Sequence, residues 1–177
     1  MPAHNAKQVT EKDIFFDFSN ALQVNKGDAV TINGMKFVDF IIELADRFIF
    51  LEVKDPDNPR ATPEAKLNYL RKMRSREIGW ELGQKVKDTL LYEWARDRRL
   101  DKPIHYVVLM EASFADSPTL LALIDRTKGY LPLGLTNRPE VKRNCIDHFL
   151  ILTLQKWNEH YAELPAHRMS NTIAADS

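Results

Sequence analysis

The sequence predicts an α/β protein in which a mixed central β-sheet is flanked by helices, and three stretches carry that expectation. Residues 36–54 read as a β-hairpin, residues 62–97 stay compatible with helix throughout, and Ile104 to Met110 is a continuous apolar run suited to a buried strand. A hairpin, a long helical crossover and a buried strand together place a parallel strand beside an antiparallel pair.

The hairpin is the most informative segment. Lys36 to Leu44 and Phe48 to Lys54 are rich in β-branched and aromatic residues, with Ala45-Asp46-Arg47 as the polar interruption. A two-residue turn at Ala45 and Asp46 sets Leu44 opposite Arg47, Phe40 opposite Leu51 and Asp39 opposite Glu52. Lys54 then lies on the same face, roughly 7 Å beyond Glu52 at about 3.4 Å per residue. The same register assigns Val38, Val53, Phe40, Leu51, Ile42 and Ile49 to one face, and Ile41 with Phe50 to the other. Both faces are apolar, as expected of strands covered on both sides.

Two carboxylates meeting at the end of such a hairpin repel each other, which raises the pKa of one unless a cation lies between them. Mg²⁺ takes oxygen ligands, commonly one or two carboxylates plus waters and phosphate oxygens. A nearby Lys holds the attacking water or stabilises charge on a phosphate oxygen. These parts suit metal-assisted phosphodiester hydrolysis.

Asp39, a gap of twelve residues, and then Glu52-Val53-Lys54 resembles the signature of the PD-(D/E)xK nuclease superfamily, which has the restriction-endonuclease-like sandwich fold. The resemblance implies a Mg²⁺ (or Mn²⁺) site on Asp39, Glu52 and the Val53 carbonyl, with Lys54 assisting the water and Asp39, Glu52 and Lys54 as the catalytic set. It also implies a nucleic-acid substrate, DNA in particular, and admits a homodimer, since such enzymes pair to reach both strands; the chain carries no evident dimer stripe. Gly34 matches a small residue that several of these nucleases carry. Val38 stands where the motif has Pro, and Asp17 and Asp28 are alternatives for an upstream acid. A strand ending in Glu-x-Lys is also common on solvated edges. A catalytically inactive relative that binds nucleic acid or a protein partner is therefore the alternative.

Composition is consistent with one soluble domain. The chain has 177 residues, 44% hydrophobic and 28% charged, enough to bury roughly two-thirds of its unfolded surface. Domain limits are read as a flexible N-terminus at 1–12, a single domain at 13–164 and a flexible tail at 165–177. Net charge is zero, so attraction to a polyanion must be local. The single cysteine, Cys145, excludes an internal disulfide framework. The N-terminal residues lack a signal-peptide core and no apolar run reaches the roughly 18 residues of a membrane span, so a cytoplasmic location is expected.

Along the rest of the chain, the type of Ile14 to Leu22 stays open, with packing on the hairpin expected by analogy. Ala29 to Ile32 reads as a short strand ending in an Asn33-Gly34 turn. Asp55-Pro56 stops the hairpin. Thr62 then caps a helix with Pro63 in its first turn and Glu64 at the positive dipole end. Gly79 and Gly83 predict two segments or a kink, and Ile78, Leu82, Val86, Leu90 and Trp94 form an apolar stripe read as core. Arg60, Lys66, Arg71, Lys72, Arg74 and Arg76 are the candidate nucleic-acid-binding residues, since a cation-rich segment neutralises phosphates; a solvated helix surface fits them equally. Tyr69 either stacks on a base or packs.

His105 reads as a core or edge histidine. Ser117-Pro118 caps a helix, and Gly129 to Glu140 is a loop without the Gly-Lys-Ser/Thr of a phosphate-binding loop, which excludes an ATP site. Arg143 to Leu152 reads as a last strand, and Thr153 caps a final helix with Trp157 and Tyr161. Cys145 and His148 suggest a Cys/His nucleophile pair, but no orienting partner is evident and a lone cysteine in an apolar strand reads as packing. No internal repeat is found.

Overall fold

A computed structural model describes residues 7–29 and 31–170. Among these described residues eight strands and four α-helices follow in the order β1 (Gln8–Glu11), β2 (Ile14–Asp17), β3 (Gln23–Lys26), β4 (Phe40–Glu43), β5 (Phe48–Lys54), α1 (Pro63–Arg74), α2 (Glu77–Ala95), β6 (Ile104–Met110), α3 (Ser117–Lys128), β7 (His148–Leu152), α4 (Leu154–His160) and β8 (Ala166–Arg168). The protein is mixed α/β. Its main sheet has the order β3-β4-β5-β6-β7, and β1, β2 and β8 form a second, three-stranded sheet. Among the described residues no helix is long and apolar enough to cross a membrane.

The hairpin forms in the expected register, with Phe40 opposite Leu51, Ile42 opposite Ile49 and the Leu44 N–H donating to the Arg47 carbonyl at 2.8 Å. β5, β6 and β7 are parallel, so the long crossover between β5 and β6 is the helical one its sequence required. Two apolar clusters sandwich the sheet. Phe40, Ile42, Ile49, Leu51 and Val53 pack with Phe16 of the small sheet, Phe18 of the turn after β2, Trp157 of α4 and Tyr161 at its C-terminal end. Ile41, Phe48 and Phe50 pack on the other side with Met73, Ile78, Leu82, Val86 and Leu123 of α1 to α3.

Only one face is therefore covered wholly by helices. Ile14 to Asp17, whose type the sequence left open, is a strand that packs on the hairpin through Phe16 and Phe40, 6.1 Å apart between ring centroids. The small sheet also takes in β1 and β8, which lie inside the stretches 1–12 and 165–177 that the sequence reads as loose ends. These strands are short, and pairing with β2 is what stabilises them. Their alternation is too brief to be read alone.

Several local expectations change. Ala29 to Ile32 is not a strand: Gly27–Ala29 is a 3-10 turn, residue 30 lies outside the described residues, and the Asn33-Gly34 turn closes with the Met35 N–H on the Ile32 carbonyl at 3.1 Å. Gly34 has φ 81°, a left-handed conformation that glycine adopts without strain. Val38 packs with the helix-side cluster rather than with Val53, because its N–H donates to Thr89 Oγ1 at 3.1 Å and the chain leaves the pleat before β4 begins.

α2 is one unbroken helix through Gly79 and Gly83. The break falls at Ser75 and Arg76, where α1 ends. The glycines serve close approach instead: a Cβ on Gly83 would lie 2.5 Å from Tyr130 Cβ. Along the α2 stripe Ile78, Leu82 and Val86 are buried, Leu90 is half-buried and Trp94 is 76% exposed. Spacing of four residues advances about 40° per step around a 3.6-residue helix, so the stripe rotates out of the core before Trp94. Asp116 rather than Ser117 caps α3, accepting from the Thr119 N–H at 2.9 Å. The last strand begins at His148, leaving Cys145 and Ile146 in the preceding loop.

Candidate functional site

The C-terminal end of β5 gathers the charges. Glu52 is 1% exposed on a strand whose neighbours on both sides are apolar. Burial in that setting disfavours the carboxylate, and Asp39 adds like-charge repulsion; together these raise the Glu52 pKa against the opposing effect of Lys54 and Lys85. Asp39 lies one residue before β4 and is fixed from two directions. Its carbonyl accepts from the Gly27 N–H at 2.9 Å, and its Oδ2 accepts from the Val53 N–H at 2.7 Å, supplying the bond a continuing strand would have made. Asp88 of α2 also takes the Lys36 N–H at 2.9 Å, so one helix holds the segment leading into Asp39.

Lys54 contacts Glu52 Oε1 at 3.1 Å and Glu81 Oε1 at 3.0 Å. Burial alone would lower its pKa, but the two carboxylates outweigh burial and hold it above the ordinary lysine value. Lys54 is thus an ammonium at neutral pH, a donor and a positive charge rather than a base. Glu81 is held below its ordinary value by Lys54, although burial acts in the opposite direction.

Three residues that the sequence reading missed complete the site. Lys85 Nζ donates to Glu52 Oε1 and Oε2 at 2.7 and 2.8 Å and lies 3.6 Å from Asp39 Oδ1. Its contact with both carboxylates establishes that Asp39 and Glu52 share one patch. Glu81 stands one helical turn before Lys85. Lys12, at the β1–β2 turn with φ 56°, donates to the Val53 carbonyl at 2.6 Å. The spacing of Glu81 and Lys85 is that of neighbours on a helix surface, and they flank the buried Ile78-Leu82-Val86 stripe. That signal was available in the sequence. Lys12 gave none.

Asp39, Glu52 and Glu81 against Lys12, Lys54 and Lys85 make the cluster locally neutral. Beside it, the Tyr69 hydroxyl of α1 is buried without a hydrogen-bond partner. Burial raises its pKa, and Lys54, Glu81 and Glu52 all act on it electrostatically.

The other sequence candidates fall elsewhere. Asp17 Oδ1 accepts from the Ser19 N–H at 2.9 Å and from its hydroxyl at 2.5 Å, a local turn rather than a site contact. The side chain of Asp28 lies outside what is described. Of the basic candidates, Lys66 pairs with Asp57 at 3.1 Å and Lys72 with Glu77 at 2.8 Å. Arg60, Arg71, Arg74 and Arg76 are exposed, distributed over the loop, α1 and the residue before α2. His105 Nδ1 lies 3.1 Å from the Tyr161 hydroxyl, with its ring against that of His148. Cys145 is exposed. Trp80, Leu91 and Trp94 are exposed on α2 at spacings that put them within an arc of roughly 60°.

A groove of about 420 Å³ lined by Trp94, Leu100, Ile104, Arg143 and Cys145 lies at the start of β6. Ile104 pairs with Phe48 and Met110 with Lys54, so this groove is at the opposite end of the strands from the acidic cluster. Its Asp147 accepts the Ile104 N–H at 2.8 Å and serves the fold.

Among the described residues no group of three or more His, Cys, Asp or Glu side chains is arranged to hold a metal ion. The donors offered by Asp39, Glu52 and the Val53 carbonyl are nonetheless all oxygens, the set a hard cation takes when waters complete its shell. The position where Lys85 Nζ touches both carboxylates is already that of a cation. The donor chemistry fits a divalent ion provided that Lys85 leaves the carboxylates and Lys12 releases the Val53 carbonyl. No protein-family model, curated protein or solved structure matches this chain.

Proposed function

We propose that this protein is a metal-dependent nuclease that hydrolyses phosphodiester bonds in nucleic acid, DNA in particular. The observation that carries the reading is the meeting of Asp39, Glu52 and Lys54 at one largely buried patch at the end of the hairpin. The mixed sheet, with its antiparallel hairpin followed by parallel β6, agrees with the restriction-endonuclease-like arrangement that the Asp39 and Glu52-Val53-Lys54 spacing resembles. The small sheet in place of a first helix departs from it.

Asp39 and Glu52 would hold Mg²⁺ or Mn²⁺, with the Val53 carbonyl as a further donor once Lys12 releases it. A bound divalent ion supplies Lewis-acid polarisation of a phosphoryl oxygen and acidifies a water. Lys54, kept protonated by Glu52 and Glu81, donates to the attacking water or to a phosphoryl oxygen where charge builds. Exposed Arg60, Arg71, Arg74 and Arg76 offer phosphate contacts beside α1.

A second reading has its own support. Lys85 on both carboxylates and Lys12 on the Val53 carbonyl leave a satisfied, neutral cluster, which suits a non-catalytic module that binds nucleic acid or a protein partner. Cleavage of plasmid and single-stranded DNA with Mg²⁺ or Mn²⁺ separates the two. A nuclease loses activity in Glu52→Gln and Lys54→Ala. Activity that survives both substitutions refutes the site, and absence of cleavage with retained binding favours the module.

A further inference from the structure

We propose that Lys85 is an exchangeable internal counterion of the site: its ammonium holds Asp39 and Glu52 together until a divalent cation takes its position, so that metal affinity is set by competition with this side chain. The inference rests on the metal reading above and adds the residue that regulates it.

The geometry is specific. Lys85 Nζ reaches both oxygens of Glu52, at 2.7 and 2.8 Å, and the near oxygen of Asp39 at 3.6 Å. Two carboxylates this close need a positive charge between them, and an ammonium and a metal ion compete for the same lone pairs. Lys54 is placed differently, since it divides its charge between Glu52 Oε1 at 3.1 Å and Glu81 Oε1 at 3.0 Å and is anchored by the latter. Lys85 has its backbone secured, with its carbonyl accepting from the Thr89 hydroxyl at 2.7 Å, while a flexible four-carbon stem carries the charge. The helix can therefore stay in place while the ammonium swings.

Exchange also orders the binding events. The cluster is neutral while Lys85 fills it, and a divalent ion in the same position leaves the patch with a net positive charge suited to a phosphodiester. The displaced ammonium remains tethered nearby as an additional donor to that anion.

Mn²⁺ titration of the full chain by calorimetry, with free Mn²⁺ followed by electron paramagnetic resonance, tests the proposal. Lys85→Met keeps the stem and removes the charge, and it should bind Mn²⁺ at least about tenfold more tightly than wild type. Lys85→Arg should bind no more tightly than wild type, and Glu52→Gln should remove binding in each background. Equal affinity of wild type and Lys85→Met overturns the exchange but leaves the metal reading intact. Binding by neither protein overturns both.

A second measurement avoids dependence on the folding of Lys85→Met. In wild-type protein the Lys85 ¹⁵Nζ resonance, assigned by its loss in Lys85→Arg, should shift on saturation with Mg²⁺. A resonance unmoved at saturating Mg²⁺ overturns the proposal.

Discussion

Replacing Gly83 by Ala should destabilise the protein even though Ala is the better helix former. Gly83 lies in the interior of α2, where the intrinsic preference favours Ala by about 1 kcal/mol. Against this, the new Cβ would lie 2.5 Å from Tyr130 Cβ and 3.2 Å from its carbonyl oxygen. Ordinary carbon contacts are about 3.5–4.0 Å, so backbone or a side-chain root must retreat by about 1 Å. Overpacking costs about 1–3 kcal/mol, and a clash against a Cβ, which no rotamer change relieves, falls in the upper half of that range at about 2–3 kcal/mol; less the propensity gain of about 1 kcal/mol, the net loss is about 1–2 kcal/mol. Gly79 is the internal control. Its Cβ would meet Thr127 Oγ1 at 3.2 Å and Thr127 backbone at 3.4 Å, contacts relieved by a few tenths of an ångström. Urea unfolding followed by far-UV circular dichroism gives both values from the midpoint and slope. A Gly83→Ala midpoint equal to or above wild type, with unchanged slope, would refute the argument that close packing rather than helix flexibility selects glycine here. The result bears on function too, because Gly83 lies between Glu81 and Lys85, and a displaced α2 carries both away from Glu52.

Arg168→Met should cost about 3–5 kcal/mol, because it leaves the fully buried Asp55 carboxylate without the guanidinium that donates to it at 2.7 and 3.1 Å; a chemical-denaturation midpoint near wild type would argue against a structural role for β8. His105 should titrate near pH 4 by NMR, because burial, followed by the charges of His148 and Arg47, lowers its pKa to about 4. Unfolded His105 binds a proton at pH 5 and folded His105 does not, so stability should fall as pH drops from about 6.5 to 4, by of order 2 kcal/mol from this group after allowance for solvent screening. An NMR midpoint near 6.5 would remove that contribution. Tyr69→Phe deletes a buried hydroxyl without a partner and should be neutral or stabilising by up to about 1 kcal/mol in thermal unfolding; a loss of more than that would mean the hydroxyl is satisfied in solution.

Local rules carried the hairpin. Two turn residues and the alternation of side chains sufficed to set Phe40 opposite Leu51, which leaves Asp39, one residue before β4, at the Glu52 end of the hairpin. Helix caps were equally local: Thr62 accepts from Ala65 and Thr153 from Lys156, each through its own side chain within three residues. The parallel placement of β6 followed from the length of the crossover. The basic stretch around α1 was visible as composition. Its salt bridges to Asp57 and Glu77 were not, because the acids come from neighbouring segments.

What the sequence determined by itself was therefore the hairpin turn and its register, the caps at Thr62 and Thr153, and the acids and amine near the end of β5. Tertiary structure decided which charges neutralise that end. Lys85 reaches Glu52 across thirty-three residues, Lys12 reaches Val53 across forty-one, and Arg168 reaches Asp55 across one hundred and thirteen. The spacing of Glu81 and Lys85 marks a helix face but not the strand it meets, and Lys12 and Arg168 leave no periodic trace, since a side chain that reaches across the fold is selected by where its helix or strand lands rather than by its neighbours in sequence. The pairing of β2 with β8 and the rotation of Trp94 into solvent arise in the same way, from the packing of elements that are each locally unremarked.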